Sequence, residues 1–149
     1  MDKQKLTGFI EKYSLGNSIE SVPWVIKNNA LATNFVSEDR TLLGKVTLNN
    51  FDLDACEVGI YNTTQLQKMV SVLGSNVDIN LKKVEDRAIA VHMTDSEVSL
   101  NYMLADLDII PKAPKLKQIP DTTVVIKIDN DFITKFVRAK NALSDSDNF

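Results

Sequence analysis

The chain has 149 residues, 44% of them hydrophobic and 25% charged, which is enough to bury one good core, or one core and part of another, as a soluble globular protein. Seventeen Lys and Arg against 20 Asp and Glu leave a net charge of −3, which argues against coating by nucleic acid over the whole surface but permits a local basic face. One cysteine, Cys56, excludes an internal disulfide and a multi-thiolate zinc site, and His92, the one histidine, leaves too few soft ligands for a transition-metal centre.

The N-terminal stretch MDKQKLTGFIEKYSLGN carries acids among its lysines and no apolar run long enough for a signal or membrane segment, so a cytoplasmic protein without a membrane partner is expected. From Asp2 to Ser14, Leu6, Phe9, Ile10 and Tyr13 recur at the spacing of one helix face, and Lys5 and Lys12 share another. Gly16 and Asn17 stop this helix. Trp24 to Lys27, Ala30 to Val36 and Leu42 to Leu48 then read as short strands joined by polar turns at Asn28-Asn29 and Ser37 to Arg40, an antiparallel meander. Pro23 marks a strand start or an edge.

Ala55 to Tyr61 reads as a further strand and runs into a helix from Thr63 to Leu73. Asn62 or Thr63 is its expected N-cap, Gly74 its expected left-handed end, and Leu66, Met69, Val70 and Leu73 its buried stripe, with Lys68 opposite. Val77 to Leu81, Ala88 to Met93 and Val98 to Leu104 form a second meander. Residues 109–121 hold three prolines and three lysines and read as a connector between a domain at 1–108 and the start of another at 122–149. In that last part Thr122 to Ile128 alternates as a strand, and Asn130 to Leu143 reads as a helix with Phe132, Ile133, Phe136, Val137 and Leu143 inward. The order helix, meander, helix, meander suggests an internal repeat, with the second unit restarting the pattern. The fold class is α+β: two helices on antiparallel meanders, with an incomplete second βα unit.

The order of elements, the segment FDLDACEVGIY running into a capped helix, and YMLADLDIIPKAP entering the connector resemble the sliding clamps of T4-type bacteriophages. TTVVIKIDNDFITKFVRAKNAL resembles the strand and first helix that open a clamp's second domain, so the likeness covers nearly the whole chain. The resemblance implies a DNA polymerase processivity factor; no enzymatic activity and no cofactor are expected, since one histidine, one cysteine and no glycine-rich phosphate loop leave little from which to build a nucleophile and base. Helices would line a ring around duplex DNA, sheets would lie outside, and a polymerase and a clamp loader would be partners. A phage clamp subunit carries two complete domains, whereas this chain stops one helix into the second, so a truncated second domain is expected. Phage origin would place it in an infected host's cytoplasm, and joining of sheets edge to edge would make it a homo-oligomer.

A clamp holds DNA without reading bases, which calls for cations on inward helices and an acidic remainder. The helical stretches 2–14, 63–74 and 130–143 hold Lys3, Lys5, Lys12, Lys68, Lys135, Arg138 and Lys140 against Asp2, Glu11 and Asp131, a net +4, while the rest of the chain carries −7. These seven are the candidate DNA-binding residues. Lysines that simply favour exposed helix faces give the same count. In that case the chain is an acidic αβ protein–protein interaction module, an adaptor without DNA binding.

Clamps bind partner peptides in an apolar groove beside the connector, and Ile109, Ile110, Leu116 and Ile119 are the candidate groove residues here, or else only tack the linker to the sheet. Asp52, Asp54, Asp106 and Asp108 stand as i, i+2 pairs beside strands, where carboxylates ordinarily face water, so no metal site is expected. His92 is expected packed or on a sheet surface, Cys56 as a small buried hydrophobe, and Trp24 in the core or anchoring an interface.

Overall fold

A carboxylate starts the first helix: Asp2 accepts a hydrogen bond from the Gln4 amide at 2.8 Å and caps α1 (Lys3–Ser14). In the computed structural model, which describes residues 1–114 and 123–143, α1 buries the stripe Leu6, Phe9, Ile10 and Tyr13 that its periodicity predicts. The helix ends where Leu15, Gly16 and Asn17 turn left-handed, with φ of 47°, 67° and 69°.

Four strands follow, β1 (Val22–Lys27), β2 (Ala30–Val36), β3 (Leu43–Asn49) and β4 (Cys56–Ile60), in an antiparallel sheet of order β3-β2-β1-β4. Asn28 and Asn29, both at positive φ, form the two-residue reversal between Lys27 and Ala30. Pro23 lies in an interior strand without breaking it. β1 pairs with β2 only from Val25 onward, so Pro23 faces a partner in β4 alone, where it opposes Gly59, and its missing N–H costs no ladder bond.

α2 (Thr63–Val72) leads into a second antiparallel sheet of β5 (Asp78–Val84), β6 (Arg87–Thr94) and β7 (Ser99–Met103), in that order. Asn62 caps α2 as expected, accepting from the Gln65 amide at 2.7 Å. Its other end differs from expectation, because Leu73 is extended and Gly74 does not adopt a left-handed conformation. Side chains serve that end instead. The Lys3 ammonium donates to the Leu73 carbonyl, and the Gly74 amide donates to the Asp95 carboxylate at 2.5 Å, so no glycine turn is needed to satisfy the terminal groups.

Both helices and both sheets meet in one core. Trp24 is buried at its centre with the Phe9 ring edge-on at 5.8 Å, so of the two roles expected for Trp24 the structure shows the core one. Beyond β7 the chain crosses to the first sheet: the Ala105 amide donates to the Gly59 carbonyl at 2.9 Å, and a short helical turn, Leu107–Ile109, follows.

The chain divides into two units, Met1–Lys115 and Leu116–Phe149. Within the second, Asp129 caps α3 (Asn130–Ala142) by accepting from the Phe132 amide at 2.9 Å, and the Phe132 and Phe136 rings stack at 6.4 Å. Phe132, Ile133, Phe136, Val137 and Leu143, expected inward, are exposed. The strand expected over 122–128 is not found at residues 123–128. Alternation makes a strand only when a neighbour accepts its ladder, and among the described residues none pairs with this segment.

Candidate nucleic-acid interface on the helical layer

α1 and α2 run side by side in opposite directions. Near the start of α1, the Lys3 ammonium reaches carbonyls at the end of α2; near its end, Tyr13 and Ser14 meet Thr63 and Gln67 at the start of α2, at 3.2 Å in each case. Glu20 completes the junction. Its backbone carbonyl accepts from the Thr63 amide at 3.0 Å and its carboxylate accepts from the Thr64 amide at 3.0 Å, placing negative charge at the positive end of α2. The Tyr102 hydroxyl accepts from the Asn62 amide at 2.9 Å and donates to the Asn62 carbonyl at 3.1 Å. Burial pushes the Tyr13 phenol far above its ordinary value and raises that of Tyr102 as well, so both stay protonated and able to donate.

This pair orients the candidate cations. Lys5 and Lys12 are exposed on α1, and Lys68 is exposed on α2 opposite Leu66 and Val70. Since Lys3 and Ser14 mark the flank of α1 that meets α2, the helical repeat puts Lys5 and Lys12 on the other margin of its outward face. Glu11 lies on the ridge between. The three lysines therefore spread across the width of one two-helix layer instead of converging on a point, a distribution suited to a long polyanion and not to a small anion. Lys3 is partly buried and bonded to the Leu73 and Ser71 carbonyls, a structural task that the sequence did not announce.

A helix followed by a three-strand meander thus occurs twice, with the two helices antiparallel on a shared core. Solved structures similar to this chain include DNA sliding clamps. The DnaN clamp (DNA polymerase III subunit beta) of Bartonella birtlesii superposes with a TM-score of 0.56 at 15% identity, over 72% of this chain and 29% of that one. PCNA of Thermococcus kodakaraensis gives 0.60 at 12% identity, over 83% of this chain and 50% of that one. The PCNA2–PCNA3 complex of Sulfolobus tokodaii gives 0.53 at 10% identity, over 85% and 50%. The described fold is that of a sliding-clamp domain. The chain spans half or less of the length of these clamps. No protein-family model matches the sequence, and no curated protein sequence matches it significantly.

Within the clamp fold the other candidate residues are placed as follows. Ile109 is exposed, whereas Ile110 is buried, and a Cβ built on Gly59 would come within 2.9 Å of its side chain. Ile110 thus belongs to the packing of the sheet and offers no surface to a partner; Leu116 and Ile119 lie outside the described residues. On α3, Lys135 pairs with Asp131 at 2.7 Å, one turn away, and Arg138 and Lys140 lie on the same helix. Asp54 pairs with Lys83 at 2.9 Å and Asp106 with Arg87 at 2.7 Å, and no group of three potential metal ligands occurs among the described residues. A hydrogen bond from the Asp108 amide, together with the Arg87 guanidinium, holds the Asp106 carboxyl below the usual carboxylate range.

His92 sits on the surface of the second sheet with Nδ1 2.8 Å from the Asn101 amide oxygen, one of the two positions expected. Cys56 is only half-buried, not the buried hydrophobe expected: it opens β4, on the face whose later positions Val58 and Ile60 are buried; desolvation still raises its thiol. Among the described residues no helix is long and apolar enough to cross a membrane.

Proposed function

We propose that the chain is a processivity factor of the sliding-clamp type, akin to those of T4-like phages, or part of one: a non-catalytic, cofactor-free cytoplasmic protein that assembles with further copies, surrounds duplex DNA and tethers a polymerase after opening by a clamp loader. The observation that carries this reading is the combination of a sliding-clamp domain fold with exposed Lys5, Lys12 and Lys68 on its helical layer, in a chain whose non-helical remainder is acidic. Backbone phosphates are the natural partners of cations spread in this way, and they carry no sequence information.

The test replaces Lys5, Lys12 and Lys68 together by Met and measures duplex binding by fluorescence anisotropy across a salt series. The expected outcome is uniform weakening for unrelated sequences, with the slope of log K against log salt falling by roughly 0.9 for each phosphate that the protein no longer neutralises. Identical slopes for both proteins would favour the adaptor reading, which finds its support in Glu11 on the ridge between the lysines and in the net charge of −3.

A further inference from the structure

β4 is paired with β1 along one side, and among the described residues its other side is met at a single point, where the Ala105 amide reaches the Gly59 carbonyl. Along a strand, backbone groups of residues two apart point the same way, so the N–H and C=O of Glu57 also point outward from β1. The pairing of Gly59 with Pro23, which has no N–H to offer, agrees with that direction. No hydrogen bond from the described residues reaches the outward groups of Glu57.

Outside this edge lies a cleft of about 560 Å³, within the ~300–1,000 Å³ range of ligand-holding clefts, walled by β4, the turn from β5 to β6 and the chain leaving β7. Its charges are unbalanced. Lys83 is taken by Asp54 and Arg87 by Asp106, whereas Glu57, Glu85 and Asp86 make no ion pair among the described residues. An open strand edge beside uncompensated carboxylates calls for an occupant that brings both backbone groups and positive charge. The same edge of a second copy would bring its own Glu57, Glu85 and Asp86 against these carboxylates, so like charges disfavour self-pairing at this edge, whichever other edges assembly uses.

We propose that this cleft binds a short extended basic segment of a partner protein, which adds as a strand to the outer edge of β4 at Glu57 and sets its Lys or Arg side chains against Glu57, Glu85 and Asp86. The site is separate from the helical layer and does not depend on DNA binding. Ala105 limits its reach at one end, since it already occupies the edge at Gly59.

The probe is a short synthetic peptide of alternating lysine and valine, with an alternating glutamate and valine peptide as control. Anisotropy should show saturable binding of the first and none of the second, and hydrogen exchange at the Glu57 amide should slow when the basic peptide is bound. The triple variant Glu57→Lys, Glu85→Lys, Asp86→Lys should bind it at least about tenfold more weakly, with Glu85→Lys alone, on the turn, as the variant that leaves the strands intact. Equal binding by the Glu85→Lys and parent proteins, or an unchanged Glu57 exchange rate in the saturated complex, overturns the proposal. So does Glu57 protection that rises with protein concentration in the absence of peptide, which would assign the edge to a second copy.

Discussion

Gly59 and Ala105 meet so closely that a methyl group on Gly59 would lie 2.7 Å from the Ala105 carbonyl oxygen, at the point where the Ala105 amide donates to the Gly59 carbonyl. This contact links the edge of the first sheet to the chain leaving the second, and it sets one end of the cleft beside β4. Its obstruction involves backbone, which cannot rotate away as a flexible side chain would. Gly59→Ala should therefore destabilise the protein by about 1–3 kcal/mol in urea unfolding, the range of overpacked sites. It should also raise the exchange rate of the Ala105 amide more than that of amides in β2.

Gly8 should behave in the opposite way. It lies inside α1, and a Cβ there would meet nothing within 4 Å. Gly8→Ala should stabilise the chain by about 0.5–1 kcal/mol, because alanine loses less backbone entropy than glycine on entering a helix. Urea unfolding of the two glycine variants side by side provides the check.

The contrast between these glycines shows what sequence carries and what it omits. Leu6, Phe9, Ile10 and Tyr13 were legible because a helix repeats its facing every few residues, and the paired asparagines at 28 and 29 because a tight reversal needs positive φ twice. The exposure of Lys5, Lys12 and Lys68 followed from the same periodicity. Their spacing across the helical layer did not, since it depends on which flank of α1 meets α2, a relation set by Lys3, Ser14 and Gln67 across long stretches of chain. Gly74 misled for a related reason: Lys3 and Asp95, distant in sequence, satisfy the end of α2 that a glycine turn would otherwise serve. The edge at Glu57 was invisible because an unpaired strand side has no signature in its own residues.

Alkali should unfold the protein through its buried phenols. Tyr13 and Tyr102 titrate higher in the folded state than in the unfolded one, chiefly because burial penalises the phenolate. Their contribution to stability is thus complete below the ordinary tyrosine value of about 10 and is lost as pH rises from there toward the folded values, at up to about 1.4 kcal/mol per pH unit for each group. Tyr13→Phe should flatten this loss in urea unfolding measured from pH 9 upward. Thr63 keeps a partner in that variant, because its hydroxyl donates to the Glu20 carbonyl at 2.9 Å, whereas the Trp24 side chain loses the phenol beside it; that loss lowers stability equally at every pH, so the slope against pH reports the ionisation.

Lys3 and Lys68 should separate stability from DNA binding. The Lys3 ammonium donates to the Leu73 carbonyl at the negative end of α2 and is partly buried, so Lys3→Met removes a charge-assisted bond of about 1.5–3 kcal/mol and should lower the urea midpoint. Its charge is already committed to the protein's own backbone, which leaves little for a phosphate, and the salt slope of duplex binding should hardly move. Lys68 is exposed opposite the buried stripe of α2 and has no packing to lose. Lys68→Met should leave the midpoint within about 0.5 kcal/mol of the parent yet lower the slope by roughly 0.9, the share of a single neutralised phosphate. A slope that fell for Lys3→Met and stayed constant for Lys68→Met would place the DNA contact at the end of α2 instead of along its outward ridge.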